Sequence, residues 1–437
     1  MKAYIQLKQW NIMMYVEEIA AGLLRRYWRE MDRRSLRVFT YKLSLPTKTK
    51  KRVSNLLFGV IMNLRLIDWI IDRIGLDTFH RKDLLRVLVY RLLIEKNKEV
   101  VRRIRKINEI EIEDLARRCE ETIKELDNLP KLRRIAIELS YPDFLVRRLS
   151  RYLNLNELER MLRTMNHRLP YTWACINISK HTREEIIELL RDEGFRVEPD
   201  SDFYDLIRIE EMPRKLEKSL AYRTRSILIM EKASLAATHA LEPREGDVIL
   251  DMAAAPGIKL IATSFKMAEG KIYAVDISEE RMRRLRSMVR KYLADMDVEI
   301  KTMICDARKL KTENFGDVNK IILDAECSST GLIPKSPDIK LRITPERIKQ
   351  PSILQRELLL KAIEIARHSG AELIVYSTCS IFPEEGEYVV RHIVSNGYAE
   401  VVPISFGGQA YMPDLGIRFY PHIHKTIGFF IAKLKTH

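Results

Sequence analysis

The stretch Val248-Ile249-Leu250-Asp251-Met252-Ala253-Ala254-Ala255-Pro256-Gly257-Ile258-Lys259 decides the fold. A short apolar run ends in an acid, then passes through small residues and a glycine toward a helix. That order reads as a buried parallel strand followed by a tight loop that lets backbone approach a ligand. A second apolar run, Ile272-Tyr273-Ala274-Val275, ends in Asp276, nineteen residues after Gly257. A third, Ile304-Cys305, ends in Asp306. Strand, loop, helix and later acid match a nucleotide-binding βαβ unit, with Asp276 accepting from ribose hydroxyls and Asp306 reaching an adenine amino group. The loop lacks G-x-G-x-x-G, and the chain has no G-x-x-x-x-G-K-[ST]. On residues alone a dinucleotide and S-adenosylmethionine both stay open.

Two further apolar runs end near cysteines. Ile321-Ile322-Leu323 leads into Asp324-Ala325-Glu326-Cys327-Ser328, and Leu373-Ile374-Val375 into Tyr376-Ser377-Thr378-Cys379-Ser380. From about Ser226 the strand–loop–helix rhythm predicts a doubly wound parallel sheet, whose ligands bind beyond the carboxyl ends of the strands. Both thiols then share one functional edge. A free cysteine is usually a small buried hydrophobe, but two at the same point of two strands, flanked by Ser or Asp, are placed for chemistry. Gly428-Phe429-Phe430-Ile431-Ala432-Lys433-Leu434 reads as a closing edge strand.

Upstream the rhythm changes. Residues 1 to about 130 read as helical, with Val53, Leu56, Leu57, Val60, Leu64, Ile67, Ile70, Ile71 and Ile74 at three- and four-residue steps, the mark of a buried helix face. Leu84, Leu85, Leu88 and Val89 give another. Beyond Pro142 a small α/β module is expected, with strands at Trp173–Ile178 and Phe195–Val197. Between them runs a helix from Thr182 to Arg191, capped by Thr182.

At 437 residues, two to three domains are expected. A net charge of +15 and an isoelectric point near 9.4 point to a polyanionic partner. Lys48-Thr49-Lys50-Lys51-Arg52 and Arg102-Arg103-Ile104-Arg105-Lys106 are candidate phosphate contacts. Five scattered cysteines suggest thiols, with neither a disulfide frame nor a metal site. No apolar stretch approaches the roughly 20 residues that cross a bilayer. The first residues, with Lys2, Lys8, Glu17 and Glu18, lack a signal-peptide pattern. A cytoplasmic protein without membrane or metal is the expectation.

At the motifs quoted above, the chain resembles the Sun/RsmB-type (NOP2/Sun) family of RNA cytosine-5 methyltransferases. Residues 251–259 are similar to its D-x-C-A-A-P-G-G-K loop, and Asp324–Ser328 to its D-x-P-C-S motif. Tyr376-Ser377-Thr378-Cys379-Ser380-Ile381-Phe382-Pro383-Glu384-Glu385 resembles Y-S-T-C-S-x-x-P-E-E, and Gly428–Ala432 resembles G-F-F-x-A. Val53–Val60 with Ile67-Asp68 resembles a NusB-type RNA-binding domain, and Asn166 to Pro199 an RRM-like subdomain. Ile229–Ser234 resembles the stretch leading into the catalytic core.

The resemblance implies a multidomain chain: an all-α NusB-like domain over 1–135, a linker and small α/β RRM-like module over 136–225, and an α/β Rossmann-type methyltransferase over 226–437. It implies S-adenosylmethionine as cofactor and RNA, ribosomal or transfer, as partner, with a monomer expected. Cys379 matches the nucleophile that adds to cytosine C6, and Cys327 the cysteine that helps release product. Asp324 and Lys259 would stabilise the adduct. Asp251, Ala253, Ala254, Ala255, Pro256, Gly257, Ile258, Lys259, Asp276, Arg281, Asp306 and Asp324 would form the cofactor site.

Three residues depart from the family pattern. Glu326 replaces Pro and would raise the Cys327 thiol pKa if ionised. Ile258 replaces the second loop glycine and would be strained if φ is positive there. Ala253 replaces a cysteine without consequence. The first two motivate a rival reading, a catalytically silent RNA-binding relative. DNA cytosine methylation is weaker, because DNA enzymes usually take their nucleophile from P-C where this chain has Glu326-Cys327.

Overall fold

Apolar residues at helical spacing must find a common core, and in the N-terminal part they do. The computed structural model describes residues 16–31, 35–97, 106–107 and 110–436. The Arg102–Arg105 cluster and Lys2 and Lys8 lie outside them. All nine apolar residues of the Val53–Ile74 pattern are buried. Eight of them sit on two helices, Thr47–Met62 and Leu64–Arg73, with Ile74 as the C-cap of the second; the helices meet at Asn63 with a bend of 68°. The helix Lys82–Val89 buries Leu84, Leu85, Leu88 and Val89 against the same core. Gly59 lets the Tyr90 ring pack on the backbone, since a Cβ there would lie 2.1 Å from that ring. The helical reading departs from the structure at one described point, a two-residue antiparallel ladder between Lys106–Ile107 and Ile110–Glu111.

The chain divides into two compact units. One comprises the described residues up to Asn166 together with Ile333–Arg342; the other comprises His167–Leu332 and Ile343–His437. The Ile333–Arg342 segment is fixed within the first unit by Lys340. Its buried ammonium donates to Met62 O at 3.0 Å, Leu139 O at 2.9 Å and Asn166 Oδ1 at 2.6 Å. It also lies 3.9 Å from the centre of the Tyr141 ring. Burial without a carboxylate partner pushes its pKa well down.

The second unit opens with a four-stranded antiparallel sheet of β1 (Thr172–Ile176), β2 (Arg196–Pro199), β3 (Leu206–Glu211) and β4 (Ile227–Ile229), in the order β2-β3-β1-β4. Strand alternation gives it two buried faces. Ala174, Ile176, Ile207 and Ile209 pack on the helix Arg183–Asp192. Trp173, Cys175, Leu206 and Leu228 join the core of the larger domain that follows. The Thr182 cap is present as a full capping box: Glu185 N donates to Thr182 Oγ1 at 3.3 Å, and Thr182 N to Glu185 Oε2 at 2.8 Å.

The large sheet contains β5 (Val248–Asp251), β6 (Glu269–Asp276), β7 (Asp297–Ile304), β8 (Lys320–Asp324), β9 (Leu373–Thr378), β10 (Glu400–Val402), β11 (Gly408–Gln409), β12 (Ile417–Phe419) and β13 (Phe429–Lys435). Among the described residues the order is β11-β12-β13-β9-β8-β5-β6-β7, with β10 also paired to β13. Strands β5 to β9 are mutually parallel, as expected, whereas β13 and its partners run antiparallel. The sheet is therefore mixed rather than wholly parallel. The expected edge strand is not at an edge. β13 is flanked by β9 on one side and by β12 and β10 on the other. Its unbroken apolar run suits a strand covered on both faces: Phe429 and Ile431 enter one core layer, Phe430, Ala432 and Leu434 the other.

The order places β5 between β8 and β6. The chain leaves β5 toward β6 and β7, then returns to β8 and β9 on the opposite side. This reversal opens a crevice beyond the carboxyl ends of β5 and β8. Asp251 and Asp324 are the last residues of those two strands.

Candidate active site

The ends of β8 and β9 deliver the chemically active side chains to that crevice. β8 ends in Asp324 and leads into the loop bearing Cys327, and Cys379 follows the last residue of β9. Parallel pairing sets Asp324 beside Ser377, and Ser377 Oγ donates to Asp324 Oδ1 at 2.7 Å. The other carboxylate oxygen receives Lys259 Nζ at 2.6 Å. Lys259 comes from the helix Ile258–Ser264, and its ammonium lies 5.4 Å from the centre of the Phe429 ring.

The two thiols meet, with Cys327 Sγ 3.2 Å from Cys379 Sγ. Both are free and partly exposed. The contact with Cys379, then burial, then the charge of Glu385 push the Cys327 thiol pKa well up. Glu326 is not among the causes, because its side chain is exposed. The neighbour expected to act on Cys327 is therefore replaced by one 58 residues downstream, Glu385.

Glu385 is buried and joins both cysteine loops. It accepts Ser328 N at 2.6 Å, the Ser328 and Ser380 hydroxyls, and Gln355 Nε2 at 3.4 Å. Its main-chain oxygen accepts Tyr376 OH at 2.6 Å. The loops are also joined through backbone, where Gly331 N donates to Cys379 O at 2.8 Å. Gly331 must lack a side chain, since a Cβ would stand 1.9 Å from Gly428 O. Below Cys379, the buried Arg418 of β12 pairs with Glu387 through two bonds of 2.7 and 2.6 Å. It also donates to Ser380 O at 2.9 Å and Phe382 O at 3.2 Å.

The cofactor-type loop follows β5. Asp251 is buried and accepts Ala253 N at 3.2 Å. Burial, with Asp324 and Asp276 adding repulsion, raises its pKa to about 7. Positive φ falls on Gly257 (103°) and not on Ile258, which is the first residue of the helix. The strain considered for Ile258 is absent. Asp276 ends β6, accepts Ala255 N at 3.2 Å and Ser278 N at 2.9 Å, and pairs with Arg281 at 3.3 Å. Asp306 follows β7 and is held low by Arg308, which donates to it at 2.7 Å.

A cavity of about 400 Å³ collects Ala253, Asp276, Arg281, Asp306, Asp324, Cys327 and Cys379 in its lining. Asp251, Ala254 and Ala255 are buried behind it, while Pro256 is exposed. Gly257, Ile258 and Lys259 are not in the lining; Lys259 reaches the site through Asp324. Sequence reasoning gave Glu385 no role and missed Gln355, Glu387 and Arg418. Glu385 stood inside a quoted motif, but nothing local shows that its partner Ser328 is 57 residues away. Among the described residues no group of three or more His, Cys, Asp and Glu side chains could hold a metal ion. No single described helix is long and apolar enough to cross a membrane.

Comparison with known proteins agrees with this geometry. The family model described as 16S rRNA methyltransferase RsmB/F matches residues 238–435. A second, the RsmF/B-like ferredoxin-like domain, matches residues 141–214. Ribosomal RNA small subunit methyltransferase B of Pectobacterium carotovorum is 30% identical over 270 residues, 62% of this chain and 60% of that protein. The chain thus spans well under two thirds of that relative. The tRNA (cytosine(72)-C(5))-methyltransferase of Pyrococcus horikoshii is 37% identical over 207 residues, 46% of this chain and 50% of that one. Among solved structures, the protein PH0851 superposes with a TM-score of 0.74 at 26% identity, over 97% of this chain and 100% of that one.

Proposed function

Because the chain belongs to the RsmB/F methyltransferase family, we propose that it methylates carbon 5 of a cytosine in RNA, with S-adenosylmethionine as methyl donor. The observation that carries this reading is the convergence of Cys379, Cys327 and the Lys259–Asp324 pair on one cavity. The donor set also fits the cofactor. Asp251, Asp276 and Asp324 crowd the strand ends, and their mutual repulsion contributes to the raised pKa of Asp251. Such a site suits a cationic ligand bearing hydroxyl and amino donors and opposes a pyrophosphate. When bound, S-adenosylmethionine supplies an electrophilic methyl group on a sulfonium.

The residues of the chain supply the rest. Cys379, as thiolate, adds to C6 of the cytosine and makes C5 enamine-like and able to take the methyl group. Asp324 holds the N3 edge of the base, while Lys259 fixes that carboxylate and adds positive charge. Asp276 and Arg281 frame the ribose side of the cavity, and Asp306 the adenine side. After methyl transfer the C5 proton must leave. Cys327 stands next to the reacting sulfur and accepts that proton as thiolate, having lost its own to solvent; the C6–S bond then breaks and returns the Cys379 thiolate. The contact with Cys379 is the largest cause holding Cys327 protonated. Once Cys379 is bonded to carbon that opposition is gone, and Cys327 gives up its own proton more readily, so that its thiolate forms at the step that needs it.

The helical unit serves as a NusB-like RNA-binding module, and the division into 1–135, 136–225 and 226–437 is a division by role. Lys48, Lys51 and Arg52 are exposed at the start of the helix Thr47–Met62, where no acid accompanies them. Cations there oppose the helix dipole, so a phosphate at that end would be favoured by both. The target is an unstacked cytosine in ribosomal or transfer RNA, since a thiol reaches C6 only from the base face. Neither departure that motivated a silent relative carries a structural cost: Ile258 is helical and Glu326 is exposed. The test incubates the chain with labelled cofactor and total RNA from a strain lacking the gene. Methyl incorporation that Cys379→Ser abolishes is expected, with the position read by bisulfite sequencing. RNA binding without incorporation would overturn the proposal.

A further inference from the structure

The two cysteine loops come from different strands, and they can act together only if something fixes their spacing. We propose that Glu385 is a positioning residue that holds Cys327 and Cys379 in register, a proposal that rests on the two-thiol reading above. The carboxylate bonds the residue that follows each cysteine. Ser328 N reaches Oε1 at 2.6 Å and the Ser328 hydroxyl reaches Oε2. The Ser380 hydroxyl reaches the same Oε2. One buried group thus ties both loops at the position next to the thiol, and the sulfurs stand 3.2 Å apart.

The group is itself held in place. Gln355, from the helix Glu346–Ser369, donates to Glu385 Oε1 at 3.4 Å and to Glu326 O at 2.8 Å. Its Oε1 also stands 3.2 Å from the Tyr376 hydroxyl, whose single proton goes chiefly to Glu385 O at 2.6 Å. Thr330 closes the frame, 3.3 Å from the Ser380 hydroxyl and accepting Ile381 N at 3.1 Å. Each member bears on a cysteine loop, and none of them lines the cavity. Their arrangement serves the spacing of the thiols rather than ligand contact.

The amide variant separates the clamp from the charge. In Glu385→Gln, Oε1 can still accept Ser328 N and Gln355 Nε2, and the new amide nitrogen can donate to both serine hydroxyls, which rotate to accept. Glu385→Ala removes the shared acceptor, so Ser328 N and the two serine hydroxyls lose the one group that ties both loops, while Gln355 keeps only its bond to Glu326 O. The readout is disulfide formation between Cys327 and Cys379 in the full chain treated with diamide, without RNA or cofactor, followed by peptide mass spectrometry. Diamide takes two hydrogens from the thiols and becomes the hydrazine as the S–S bond forms. Bond formation needs the sulfurs to close to about 2.05 Å, so its rate reports their spacing.

The parent chain should cross-link fastest. Glu385→Gln should stay within about threefold of it, and Glu385→Ala should be at least about tenfold slower while melting as a folded protein, given the steep cost of misplacement by 1 Å. If Glu385→Ala does not fold, Ser328→Ala/Ser380→Ala removes the two hydroxyl arms and should be slowed in the same direction. A folded variant of either kind that cross-links at the parental rate overturns the proposal. In methyl transfer, Glu385→Ala should lower kcat more than it raises KM for RNA. Cross-linking as expected with no methyl transfer by the parent refutes the activity and leaves the clamp standing.

Discussion

Cys379 and Cys327 carry different burdens although their sulfurs touch. With the nucleophile removed, Cys379→Ser should lose methyl transfer by at least about 10³-fold, because a neutral hydroxyl is a far weaker nucleophile than a thiolate. Cys327→Ser should instead accumulate a covalent protein–RNA species, visible as a denaturant-resistant band, because the adduct forms but the C5 proton lacks its acceptor. Asp251 offers a test by pH. Its folded pKa is raised from the ordinary 3.8 to about 7, so the folded state binds the proton more tightly than the unfolded chain. That contribution to stability is complete at low pH and is lost as pH rises through this interval. Asp251→Asn keeps an oxygen for Ala253 N and cannot ionise. Its melting temperature should exceed that of the parent by a margin that grows from about pH 4 to pH 7 and levels off above.

At the scale of elements, the site depends on what fixes the loop after β9. Arg418 on β12 and Glu387 at the start of the helix Glu387–Ser395 form a buried pair that also holds the carbonyls of Ser380 and Phe382. Arg418→Met leaves Glu387 charged and unpaired and should destabilise the chain by about 3–5 kcal/mol. Arg418→Met/Glu387→Gln should recover part of the loss in a denaturant melt. Periodicity made the parallel strands, their terminal acids and the Thr182 cap legible. It did not reveal β3, whose Leu206-Ile207 is broken by Arg208 and Glu210, or the three-residue β4. Nor could it place β13 inside the sheet, because the strands covering it, β10 and β12, have three residues each. The clamp around Glu385 was beyond reach for a different reason. Hydrogen bonds spanning 30 to 57 residues leave no local pattern.

For the whole molecule, the excess of 15 positive charges predicts RNA binding that weakens steeply with salt. A plot of log affinity against log salt should be linear, and Lys48→Ala/Lys51→Ala/Arg52→Ala should shallow its slope by about 1 for each phosphate that the variant no longer neutralises. A slope unchanged in that triple variant would remove the start of the Thr47–Met62 helix from the RNA path.

Lys340 has a practical consequence for anyone dissecting this chain. Its ammonium, delivered from far downstream, bonds the carbonyl of Met62 and the side-chain oxygen of Asn166 and shares the carbonyl of Leu139 with Asn166 Nδ2, while Leu341 beside it packs on the helical core. A fragment stopped at Asn166 would take the ammonium away from Met62 O and Asn166 Oδ1 and leave an apolar slot open. No single cut releases the amino-terminal body intact; a stable excised version needs residues 333–342 grafted back or supplied as a peptide.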